Sequence, residues 1–166
     1  MKLSDLIENK ILPFEIEDEK LKKLFSFFLH SAPTVASVSA AVLSVERLDK
    51  NWNNFISRFT DNSYIFIQSQ CSIEKYFEKY SLHTDADIKR QSHGFICKRR
   101  DKTEEDYVCF LRHIRNAIAH SHVYCVHVGN RKFILFEDFN TKTTKQSSRI
   151  LLSQTDLQRL KNEIMK

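Results

Sequence analysis

Apolar positions recur every three or four residues along much of the chain, the spacing of helices packed by one face. Leu3 to Leu12 predicts a short helix closed by Pro13. Ile16 to His30 predicts a second, with Leu21, Leu24, Phe25, Phe28 and Leu29 on one stripe. After the turn Ser31-Ala32-Pro33-Thr34, one long helix is expected over 34–59, its stripe running through Val35, Val38, Val42, Val45, Leu48, Trp52, Phe55 and Phe59. Its small residues admit close approach by another helix, and its near-heptad spacing leaves a dimer seam open. Asp61-Asn62-Ser63 breaks that helix and caps a fourth, expected over 64–80 and packed by Phe66, Ile67, Ile73, Tyr76, Phe77 and Tyr80. Residues 81–103 read as the least regular part, and Thr103-Glu104-Glu105-Asp106 then opens a helix running to about His120, acids placed against its positive end.

Beyond His120 the period shortens to two. Residues 123–128 and 132–136 read as strands of a hairpin around Gly129-Asn130, Arg149 to Leu152 as a third short strand, and Ser153 as the cap of a last helix to Ile164. The expected fold is therefore mainly α: a helical bundle of four to six helices over about 1–121, with a small C-terminal β-hairpin and final helix over about 122–166. A single domain spanning 1–166 accommodates it.

Composition sharpens this expectation. Two glycines and two prolines in 166 residues disfavour a turn-rich β fold, and thirteen phenylalanines supply a large aromatic core. The formal net charge of +5 is compatible with a nucleic-acid partner. No stretch is long and uncharged enough to span a membrane, and the opening residues meet an acid at Asp5, which predicts no secretory leader. Cys71, Cys97, Cys109 and Cys125 form no CxxC pair and read as reduced thiols of a cytoplasmic protein. Cys109 falls at the core boundary, where packing is the expected role.

Candidate chemistry is concentrated on the helix ending at His120. At about 100° per residue, Tyr107, Phe110, Leu111, Ile114, Ala117 and Ile118 fall on one face. Arg112, Arg115, Asn116, Ala119 and His120 fall on the other, which carries two arginines, an amide and an imidazole but no acid. Such a surface suits an anion. Asn116 and His120 are neighbours at i and i+4. Arg115 and His120 project about 140° apart with the small Ala119 between them, so one helix makes an incomplete pocket and a second copy would complete it. Imidazole and guanidinium are the groups that cleave RNA without a metal. Imidazole, with an ordinary pKa of about 6.5, removes the 2′-hydroxyl proton, and arginine steadies the charge gathering on phosphorus. DNA, lacking the 2′-hydroxyl, is spared.

Arg115-Asn116-Ala117-Ile118-Ala119-His120 resembles the RX4-6H motif of the HEPN superfamily. The wider string from Ile114 to His120, followed by β-prone sequence and Phe136-Glu137-Asp138-Phe139, is similar to small plasmid-type single-domain HEPN proteins. The resemblance implies an α-helical bundle, a homodimer with the motif helix at its interface, and metal-independent endoribonuclease activity with no cofactor. It also implies a role as a toxin or anti-phage effector, often beside an antitoxin protein. The alternative it carries is a non-catalytic RNA-binding or partner-docking module. By position Arg115 and His120 match the two motif residues and Asn116 the polar position. Arg112, His113 and His122, and the basic run Lys98, Arg99 and Arg100, are added as RNA contacts from the wheel and from proximity; a solvated loop is the plainer reading of that run. Ser121 stands where many relatives have glycine. His122, read as strand, points opposite to Cys125 and His127, so no metal ligand is assigned. A carboxylate of Glu137-Asp138 is positioned to orient a histidine or pair with Arg131, and a charge pair at the hairpin end is the favoured reading.

Overall fold

A computed structural model describes residues 10–32 and 45–166. In chain order these form β1 (Lys10–Ile11), α1 (Glu19–His30), α2 (Val45–Ile56), β2 (Tyr64–Ile67), α3 (Glu74–Phe77), α4 (Asp85–Arg90), β3 (Gly94–Lys98), α5 (Asp106–Ala119), β4 (Val123–Val128), β5 (Arg131–Phe139), β6 (Gln146–Ser153) and α6 (Gln154–Met165). The expected helix over 3–12 and the first half of the one over 34–59 lie outside the described residues, except that Lys10 and Ile11 pair as a strand with Tyr124 and Val123. Helices α1, α5 and α6 fall where the periodicity predicts them.

The mainly α bundle with a small hairpin is overturned by the sheet. Six strands pair in the order β1-β4-β5-β6-β3-β2, all antiparallel except β2 and β3, which run parallel. Two segments account for the difference. Tyr64-Ile65-Phe66-Ile67, expected to open a helix over 64–80, is strand β2, and the only helix in that span is the single turn α3. Phe66 packs into one core and Ile67 into the other, so the strand is apolar on both faces and shows no period of two. The supposedly irregular 81–103 holds α4 and β3, and β3 sits between β2 and β6. Gly94 admits this pairing: a Cβ there would stand 2.8 Å from the carbonyl oxygen of Ser63.

The sheet is covered on both faces. On one, α1, α2, α5 and α6 enclose a core in which Phe110, fully buried, lies 4.7 Å from Phe95 and 5.3 Å from Trp52 between ring centroids. On the other, the β2–β3 crossover with α3 and α4 covers Ile96, Leu135 and Leu151. Side chains alternate between these cores along β5: Ile134 and Phe136 face the helices, Phe133 and Leu135 the crossover. Among the described residues no helix is long and apolar enough to cross a membrane.

On the crossover face one buried ion pair locks the layers. Arg149 donates to the Glu137 carboxylate at 3.2 Å and to the carbonyl of Leu82 at 2.7 Å, and lies over the Phe77 ring at 3.9 Å. Both side chains are almost completely buried. Removing one partner strands a charge, so Arg149→Met is expected to cost about 3–5 kcal/mol, while adding Glu137→Leu recovers much of it. Chemical denaturation of both variants measures the difference, and an equal loss in the double variant would contradict this role for the pair.

Candidate functional site

Helix α5 buries the face expected of it: Tyr107, Phe110, Leu111, Ile114, Ala117 and Ile118 all lie in the core beneath the helical layer. The opposite face, acid-free in sequence, is not acid-free in the fold. Glu104, two residues before the helix, turns back under it with its side chain fully covered. Its two carboxylate oxygens accept from Arg112 Nε at 2.6 Å and Nη2 at 3.1 Å, and one also accepts from the backbone N–H of Arg100 at 2.6 Å. The second acid arrives from β5. Asp138 Oδ2 meets His113 Nδ1 at 2.8 Å and accepts from Asn116 Nδ2 at 3.1 Å. The far nitrogen of the same imidazole meets the carbonyl of Lys98 at 2.8 Å.

These contacts set the electrostatics. Burial pushes the Asp138 carboxyl up, but the hydrogen bond and charge of His113, the Asn116 amide and the Arg112 charge outweigh it and hold it below the usual range. Burial likewise raises Glu104, and Arg112 with the Arg100 N–H more than reverses it. Arg112 is pulled down by desolvation and carried back above its ordinary value by Glu104. Burial pushes the Cys109 thiol up to about 12, and its Sγ lies against the Lys98 carbonyl, which leaves it a packing residue.

The residues expected to contact RNA therefore separate. His113 is completely buried with both ring nitrogens engaged, and has no nitrogen left for a ligand. Arg112 is committed to Glu104. Arg99 reaches Asp106 at 2.5 Å and packs over the Phe66 ring, while Arg100 is exposed. His122 is half-buried, its ring edge-on to Phe139 at 5.0 Å. Arg115 is half-buried with no side-chain hydrogen bond or ion pair among the described residues, Ala119 is exposed, and His120 caps the helix in solvent, its ring 6.3 Å from that of His122. Asn116 joins the two groups, one side against Asp138 and one turn before His120.

The helix end that presents His120 is closed by a left-handed residue. Ser121 has φ 57°, and the N–H groups of Ser121 and His122 donate back to the carbonyls of Ile118 and Ala117 at 3.2 and 2.8 Å. This is the closure glycine usually makes, and serine makes it at a steric cost.

One contributor escaped the sequence, and another was weighed there without being favoured. Glu104 reads as a helix-start acid and is instead a buried counter-ion. Asp138 is the histidine-orienting carboxylate, the reading not favoured from sequence. The available signal was two adjacent acids inside an apolar strand, since neighbours on a strand face opposite cores and each then needs a buried partner. Above Arg112, His113, Asn116 and Asp138 opens a cleft of about 520 Å³, its walls formed by the β3–α5 loop and the β5–β6 turn.

The mixed sheet departs from the α-helical bundle that the resemblance implies, so it is the sequence, with its Arg-x4-His spacing at the end of α5, that points to a plasmid-type, single-domain protein of the HEPN superfamily. The chain matches the family model described as HEPN pEK499 p136 over residues 11–166 and belongs to that family. Comparison with curated proteins and with solved structures returned no match. Membership points to a nuclease, RNA-related or toxin-like function.

Two outcomes follow for stability. The folded pKa values of Asp138 and Glu104 lie below the ordinary 3.8 and 4.5, so their stabilisation is complete above that range and is lost as pH falls through it. Urea midpoints measured from pH 7 down to pH 3 should fall, with a shallower fall in Asp138→Asn; identical slopes would contradict the network. Ser121→Gly relieves the left-handed serine and is expected to add about 1 kcal/mol, read as a higher Tm.

Proposed function

We propose that this protein is a metal-independent endoribonuclease of the HEPN type, acting as a toxin or as an effector against phage and plasmids. One observation carries the reading. Of the four basic side chains on α5 and its cap, Arg112 and His113 are neutralised by buried acids, and the two left facing outward are Arg115 and His120, the pair that matches the motif. A helix that spends its spare cations on structural acids and leaves only the motif pair uncommitted is arranged for an external anion.

In this reading His120 accepts the 2′-hydroxyl proton of a bound RNA. The 2′-oxygen attacks the adjacent phosphorus, the bond from phosphorus to the 5′-oxygen breaks, and the leaving oxygen takes a proton. Arg115 stabilises the negative charge built up on the non-bridging oxygens. Asn116, its amide fixed by Asp138, supports the pair from one turn away. The products are a 2′,3′-cyclic phosphate and a 5′-hydroxyl. Arg115 and His120 diverge around the exposed Ala119, so two copies packed along α5 supply the complete cleft, and the active species is a homodimer. An antitoxin protein that covers this end of α5 is the fitting partner for a toxin.

Purified protein incubated with RNA in excess EDTA is expected to cleave it. His120→Ala and Arg115→Ala are each expected to lose about 100-fold or more while retaining the wild-type unfolding midpoint. His113→Ala, by contrast, is expected to lower that midpoint. Undiminished cleavage by His120→Ala sinks the assignment, and RNA binding without cleavage by the wild type assigns the protein to the non-catalytic modules.

A further inference from the structure

The cleft of about 520 Å³ meets the motif at Asn116, and its lining carries Lys98, Arg99, Arg100, Arg112 and Lys145. We infer that this cleft holds the backbone of an RNA strand next to the nucleotide that meets the end of α5, with Arg100 and Lys145 on its phosphates. The inference rests on RNA being the ligand, not on its being cut.

Three features of the lining support it. The first is unspent charge. Arg99 and Arg112 are tied to Asp106 and Glu104, but Lys145 forms no ion pair among the described residues, and the only one Arg100 forms is an exposed 3.4 Å contact with Asp101. An exposed pair of that kind contributes little and yields easily to a phosphate. The sole acid in the lining is Asp138, whose Oδ2 is already covered by His113 and Asn116. The second is chemistry. Apart from Lys98 and the His113 ring, the remaining lining is amides and hydroxyls, among them Gln70, Asn140 and Thr143, which donate to phosphate and ribose oxygens. No tyrosine, phenylalanine or tryptophan lines the cleft, so it offers no platform on which to stack a base, and the backbone is the part of a nucleotide it suits.

The third feature is position. Asn116 belongs both to the cleft floor and to the motif, and His120 lies one turn further, about 6 Å along the helix axis. Arg100 stands on the β3–α5 loop and Lys145 on the β5–β6 turn, so the two cations come from opposite walls. A strand gripped between them passes Asn116 on its way to His120. The volume suits one nucleotide unit and its flanking phosphates.

The test measures binding in a protein that cannot cut. In a His120→Ala background, a fluorescently labelled single-stranded RNA oligonucleotide is titrated across a range of salt concentrations. Adding Arg100→Ala and Lys145→Ala is expected to weaken binding at least tenfold and to reduce the slope of log K against log salt by about 1.4, the value for two lost phosphate contacts on a single strand. Lys132→Ala is the control. It sits six residues from Asp138 on β5, about 20 Å along the strand, and is expected to leave the slope unchanged. Unchanged affinity and slope in the Arg100→Ala/Lys145→Ala protein overturn the cleft assignment while leaving the RNA reading intact. Failure of the His120→Ala protein itself to bind RNA overturns that reading and this inference with it. A third titration uses 5′-AMP, which is expected to bind far more weakly; affinity equal to that of the oligonucleotide would reassign the cleft to a free nucleotide.

Discussion

Asp138 is the point on which the arrangement of α5 depends. One of its oxygens takes a ring nitrogen of His113 and the amide of Asn116, and the other ring nitrogen of His113 closes on the carbonyl of Lys98. Helix α5 is thereby pinned to β5 and β3 at one spot. Such groups are costly to bury alone and tolerable only when mutually satisfied, so the contact is specific as well as stabilising. It fixes the rotation of the helix about its axis. With His113 turned down onto the sheet, Phe110 and Ile114 enter the aromatic core, while Arg115 and His120 face outward. The chemistry proposed for this helix depends on a hydrogen bond that takes no part in it.

The legibility of the chain tracks the range of the forces involved. Helix α5, its buried face and its end at His120 were readable because a 3.6-residue period is local. The hairpin β4–β5 and helix α6 announced themselves through a turn glycine and a capping serine. Strand β2 did not, because a four-residue apolar run buried on both faces has no period to distinguish it from a turn of helix. Without β2 and β3 the remaining strands looked like an appendage to a bundle, when they are the centre of a six-stranded sheet.

The candidate site shows the same division. Arg115, Asn116 and His120 were legible as a spacing. The role of their neighbours was not, since a helical wheel displays only the residues of its own helix. Asp138 reaches His113 across 25 positions, and Glu104 folds back on Arg112 from outside the periodic segment. A surface that looked uniformly basic becomes two surfaces. One is neutralised and structural; on the other, half-buried Arg115 and exposed His120 pair with no acid among the described residues. That separation removes His113 and Arg112 from the proposed chemistry and leaves Arg115, Asn116 and His120 to carry it, with a cationic cleft alongside.

The chemistry assigned to that end is tested most directly by the termini of the RNA it produces. Attack by the 2′-oxygen, with His120 as base and no metal-bound water, leaves a 2′,3′-cyclic phosphate on one fragment and a 5′-hydroxyl on the other. Those ends, identified by mass spectrometry on an oligonucleotide cut in the presence of EDTA, are the predicted result. A 3′-hydroxyl and a 5′-phosphate would place a water molecule as the nucleophile and contradict the account.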